Sequence, residues 1–67
     1  MEYTNSRILE LIGEYIHSDR DRGILARRLI DGITFEKLAE ENELSVSQVK
    51  RIVWKNTKIL FRHLKMN

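Results

Sequence analysis

The chain has 67 residues, 42% of them hydrophobic and 33% charged, with no cysteine, no proline and a net charge of +2. So short a chain forms one domain at most and buries only about 60% of the surface its unfolded form exposes, so its stability is marginal and a partner or a second copy would help. Disulfides and cysteine-based zinc sites are excluded; no apolar run approaches the roughly 18 residues that span a bilayer, and the start "MEYTNSR" has neither the basic onset nor the apolar core of a signal peptide, so a cytoplasmic protein without membrane contact is expected.

The apolar spacing is helical throughout and shows no sustained two-residue alternation, which predicts an all-α fold in a single domain over residues 1 to 67. The first helix is expected over residues 4 to 17, starting among the capping-type residues Thr4 to Ser6 and running to about His17. Ile8, Leu9, Leu11, Ile12, Tyr15 and Ile16 form one apolar stripe along it. Gly13 interrupts that pattern at a cost of roughly 1 kcal/mol relative to alanine, which points to a close neighbour there.

"HSDRDRG" ends this helix and starts the next, with Ser18 or Asp19 as N-cap and acids in the first turn. The second helix carries Ile24, Leu25, Arg28 and Leu29 up to "DGIT", where Gly32 suits a left-handed C-terminal position and Thr34 caps the helix that follows. That third helix, "FEKLAEEN", turns Phe35, Leu38 and Ala39 inward and Glu36, Glu40 and Glu41 outward, with Glu36 placed to complement the helix dipole. After the turn "ENELS", Ser45 and Gln48 stand at capping-box spacing, and nothing stops the fourth helix between Val46 and about Met66.

Charge is divided unevenly along this order. Residues 1 to 33 sum to −1, residues 34 to 44 to −3, and residues 45 to 67 carry six Lys or Arg with no acid. A helix without one acid points to a polyanionic partner, against the alternative of a solvated face that merely complements the helix dipole.

Two unequal helices joined by a tight turn, with small Ala39 on the inner face, Leu44 plugging the turn, and Val49 and Ile52 packing the second helix on the first, describe a helix-turn-helix. The segment "DRGILARRLIDGITFEKLAEENELSVSQVKRIVWKNTKILFRHL", residues 21 to 64, resembles region four of bacterial sigma factors and the helix-turn-helix of LuxR-type regulators. The similarity covers about two thirds of the chain and rests on Leu25, Leu29, Gly32, Thr34, Leu38, Ala39, Leu44, Ser45, Val49 and Ile52. It implies a tri-helical unit over residues 19 to 66, preceded by the amphipathic first helix and ending in a long recognition helix. The departures are informative. Glu43 stands where the turn residue is usually glycine, so either Glu43 adopts a left-handed conformation or Asn42 takes that role. Ala26 stands where many sigma factors carry a backbone-contacting arginine, so that contact is either missing or moved to Arg27 or Arg28. No stretch resembles the core-polymerase-binding region, so a complete sigma factor is not expected.

With Val49 as the inward reference and about 100° per residue, Ile52, Val53, Asn56 and Leu60 face the core, and Ser47, Arg51, Trp54 and Lys58 face away. The N-terminal part of a recognition helix meets base edges. The candidate base readers are therefore Val46, Ser47, Gln48, Lys50 and Arg51, and the resemblance places readers at 46, 47, 50 and 51. Arg51 has the fork for guanine O6 and N7, Gln48 the amide for adenine N6 and N7 once it leaves the capping box, and Val46 an apolar surface for a thymine methyl. Thr34 and Lys37 at a helix start suit phosphates, as do Lys55 and Arg28.

Trp54 fits neither the core nor the reading face; it stacks near nucleic acid, packs on the first helix or meets a second copy. Ile59, Phe61 and Leu64 widen the apolar surface beyond it. His17 and His63 are too scattered for a metal site, the glutamates of the third helix lack a cleft or nucleophile, and no cofactor or enzymatic activity is expected. The leading expectation is double-stranded DNA binding by a transcriptional regulator or sigma-like accessory factor. The alternative is an interaction module whose stripe of Ile8, Leu9, Ile12, Tyr15 and Ile16, with Trp54, docks on RNA polymerase, a sigma factor or a second copy as a homodimer.

Overall fold

The computed structural model describes residues 4 to 64 and is all-helical, with no strand among the described residues. Helix α1 spans Asn5–Tyr15, α2 Asp19–Leu29, α3 Phe35–Asn42 and α4 Val46–Leu64. The expected end of the last helix at Met66, and the side chain of Leu64, lie outside the described residues.

Each helix begins at a hydroxyl cap. Oγ1 of Thr4 accepts from the Arg7 amide at 3.1 Å, Oγ of Ser18 from Asp21 at 3.2 Å, Oγ1 of Thr34 from Lys37 at 3.1 Å and Oγ of Ser45 from Gln48 at 3.1 Å. Each cap satisfies an amide that the first helical turn would otherwise leave unpaired. The Gln48 side chain returns the bond by accepting from the Ser45 amide at 2.8 Å, which completes a capping box. In α2, Asp19 and Asp21 in the first turn and Arg27 and Arg28 in the last complement the helix dipole.

The first helix stops two residues before His17. Ile16 is extended, with φ −108° and ψ 117°, because its side chain is drawn into the core and its carbonyl accepts from Nε of Arg22 at 2.5 Å. Gly13 has no close neighbour: a Cβ added there meets nothing within 4 Å, and the residue is exposed. The close approach expected at that position is absent.

The turns use left-handed backbone. Gly32 has φ +68°, beyond which the Ile33 amide donates to the Arg27 carbonyl at 3.1 Å. Glu43, with φ 55° and ψ 44°, is the left-handed residue of the next turn. Its amide donates to Glu40 O at 3.4 Å and that of Leu44 to Ala39 O at 2.9 Å, the paired bonds of a Schellman ending. Asn42 instead donates its side-chain amide to Leu38 O at 2.8 Å.

The core is a single cluster: Leu11, Ile12 and Ile16 from α1, Ile24 and Leu25 from α2, Leu38 and Ala39 from α3, and Val49, Ile52, Val53 and Leu60 from α4. The fourth helix touches all three others. Its N-terminal half lies on α2 and α3, while His63 near its end stacks on Tyr15 of α1 with ring centroids 3.6 Å apart. Leu29, expected in the core, is 39% exposed, since Ile24 and Leu25 already occupy the inner face of α2. One polar bridge lies inside: Nδ2 of Asn56 donates to Oδ2 of Asp21, and both residues are buried.

Candidate nucleic-acid interface

Packing α4 through Val49, Ile52, Val53, Asn56 and Leu60 leaves its opposite face uncovered along the whole helix. Arg51, Lys55, Lys58 and Arg62, all exposed, follow one another at intervals of four, three and four residues. At about 100° per residue that spacing holds them within an arc of roughly 60°, and at 1.5 Å rise they extend over about 16 Å. Lys50 stands beside this row, its Nζ 5.7 Å from the centre of the Phe35 ring.

None of these five cations makes an ion pair among the described residues, whereas Arg7, Arg20, Arg22, Arg27 and Lys37 each hold a carboxylate. The contrast follows from the sequence, since α4 contains no acid. Like charges held in a row repel one another, so this face gains when an anion comes to it.

Two flanks border the row. On one, Phe35, Lys50 and Trp54 line a shallow hollow at the start of α3, and the Arg28 guanidinium lies 4.2 Å over the Phe35 ring. Thr34 and Lys37 occupy the same helix start; Lys37 Nζ lies 3.4 Å from Glu40 Oε1 and stays exposed. On the other flank Arg20 stands with Leu44, Gln48, Arg51 and Ile52 around a second depression.

The expected base readers are not equivalent in this geometry. Ser47, Lys50 and Arg51 are exposed. Val46 is partly buried against the core, and the side chain of Gln48 is engaged by the Ser45 amide. Of the expected phosphate contacts, Lys55 is free at the surface, while Arg28 donates to Ile33 O at 3.0 Å and stacks on Phe35. Arg27, the other position to which a backbone contact could move, is held by a two-pronged pair with Glu41, at 2.8 and 2.6 Å. Three cations of this face were not among the expected contacts: Lys58 and Arg62 in the row, and Arg20 beside it. The first two were legible in the spacing from Arg51; Arg20 is brought there only by the packing of α2 on α4.

The docking stripe on the first helix needs correction. Ile12 and Ile16 are each 2% exposed and belong to this chain's own core, Ile8 packs against that core, and Tyr15 is covered by His63. Leu9, at 49%, remains exposed. Trp54 does not pack on the first helix: it is 72% exposed, with Lys58 Nζ 5.1 Å above its ring, and Phe61 is exposed beyond it. Ile59, by contrast, is partly buried against the core.

Among the described residues no cluster of His, Asp or Glu has the geometry of a metal site, and no helix is long and apolar enough to cross a membrane. The chain matches no protein-family model, no curated protein and no solved structure.

Proposed function

We propose that this chain is a DNA-binding protein of the helix-turn-helix type, a small transcriptional regulator or sigma-like accessory factor, and not an enzyme. In this reading α3 and α4 are the two helices of the motif, α2 completes a tri-helical unit, α1 braces it, and α4 enters the major groove. The observation that carries the reading is the row of cations on the free face of α4 that hold no carboxylate among the described residues, set against the six earlier cations, of which five are ion-paired and the sixth, Arg28, is held by the Ile33 carbonyl. Duplex DNA is the polyanion whose groove, about 12 Å wide, admits one helix, and neutralising its phosphates releases counterions.

The roles follow from chemistry. Arg51 reads guanine through O6 and N7, and Lys50 and Ser47 reach adjacent base edges. Lys55, with Thr34 and Lys37 at the α3 start, holds phosphates, since that N-terminus points free amides outward. Arg28 steadies Phe35 and the turn before α3, which makes it a weaker phosphate ligand than a free arginine.

A mobility-shift assay on duplexes selected from a random library tests this. With Lys37, Lys55, Lys58 and Arg62 on phosphates, four contacts would weaken binding by about 10²-fold between 50 and 200 mM salt, and Arg51→Ala would weaken binding by at least ~1 kcal/mol or change the selected site. Binding indifferent to salt, or no binding to any duplex, overturns the proposal.

A further inference from the structure

We infer that the centre of the reading face is the middle turn of α4, with Trp54 as a specificity-determining contact to the C5-methyl groups of thymines in the major groove. The inference rests on the DNA-binding reading and deepens it. Trp54 is the only tryptophan of the chain, and it is 72% exposed. It lies on the outward side of α4, one turn from both Arg51 and Lys58, and Lys58 Nζ sits 5.1 Å above its ring. Phe61, two turns on, is 56% exposed on the same side, so an aromatic row runs beside the cationic one.

What covers such a row is decided by its surroundings. Burying an indole removes some 150–250 Å² from water, a strong incentive for a partner. A purely apolar partner would have to strip water from the unpaired cations on either side, at a desolvation cost that nothing in its own chemistry returns. A DNA groove offers both complements together: phosphates for the cations and thymine methyls for the indole.

The tip of the helix is less suited to the same task. Val46 is partly buried against the core, and Gln48 holds the Ser45 amide at 2.8 Å. Reading with Gln48 would break its half of the capping box, and reading with Val46 would draw it off the core. From Arg51 onward the outward side chains have no such duty, and the row continues through Lys58 and Arg62. The helix therefore lies along the groove on its middle turns, with Trp54 toward the floor, the row of Arg51, Lys55, Lys58 and Arg62 toward one wall and Lys50 toward the other.

The sole tryptophan reports on itself. The probe is the duplex selected by the wild type and the same duplex with every thymine replaced by deoxyuridine, which removes only the methyl groups. Duplex binding is expected to shift the Trp54 emission, and the deoxyuridine duplex to bind the wild type several-fold more weakly, about tenfold at most. Trp54→Ala, a surface change whose folding is checked by circular dichroism, is expected to abolish that difference and leave the salt dependence unchanged. Salt-dependent duplex binding with unaltered emission and a Trp54→Ala variant that still distinguishes the two duplexes overturns this inference and leaves the DNA-binding reading standing. Absence of duplex binding overturns both. Tighter binding to the separated single strands, or an emission shift on raising protein concentration without DNA, assigns Trp54 to base stacking on single strands or to self-association and overturns the thymine contact.

Discussion

Asn56 Nδ2 lies 3.1 Å from Asp21 Oδ2, joining two residues 35 positions apart inside the core. The same nitrogen donates to Ile52 O at 2.9 Å, and the other Asp21 oxygen accepts from Arg20 Nε at 3.2 Å. The bridge lies on the same face as Val49, Ile52, Val53 and Leu60 and adds a directional contact between α4 and α2 to their apolar packing.

Removing half of this bridge is costly, because the remaining polar group stays buried without a partner. Asn56→Leu is expected to destabilise the fold by roughly 1–3 kcal/mol, read from urea denaturation. The double variant Asp21→Ala/Asn56→Leu should lose less than the sum of the single variants, and strict additivity would show that the two residues do not interact.

Glu43 holds a left-handed backbone, at φ 55°, that glycine adopts without strain. Glu43→Gly is expected to raise stability by a few tenths to about 1 kcal/mol, the relief of strain exceeding the added freedom of the unfolded chain. A lowered melting temperature would refute this account of the turn.

Gly13 and Gly23 lie within α1 and α2, and a Cβ at either meets nothing within 4 Å. Alanine at each site should stabilise the protein by about 0.5–1 kcal/mol, and the two gains should add. Thermal unfolding of the single and double variants is the measurement. A loss at Gly13 would reveal a neighbour at that position after all.

The hydroxyl of Thr57 is buried and has no hydrogen-bond partner among the described residues. Thr57→Val keeps the shape and removes the desolvated oxygen, so a gain of about 1 kcal/mol is expected from denaturant titration. An unchanged or reduced midpoint would mean that the hydroxyl finds a partner in solution.

Much of the fold was legible because it depends on near neighbours. A cap involves residues three apart, so Thr34 and Ser45 could be placed from the residue string and the other two narrowed to Thr4 to Ser6 and to Ser18 or Asp19, of which the structure selects Thr4 and Ser18; α3 runs over its expected span. The inward side of α4 was legible too, since 3.6-residue periodicity sorts Val49, Ile52, Val53, Asn56 and Leu60 from the rest. Burial across helices was not. Leu29 and Leu9 have the same apolar character as Leu25 and Leu11, yet the first two are exposed and the second two buried, because each helix has one inner face and the packing chooses it. The end of α1 depended on Arg22 reaching back to the Ile16 carbonyl, a bond across a break that no periodicity describes.

The amino-acid sequence by itself determined four capped helices, two left-handed turns and a final helix stocked with cations and no acids, because propensity, capping and charge act locally along the chain. Tertiary structure alone decided which apolar residues that stock of side chains could bury. It spent Ile12 and Ile16 on the core and brought Arg20 beside Arg51. It left Trp54 uncovered beside Lys58, since three helices suffice to enclose only one side of α4.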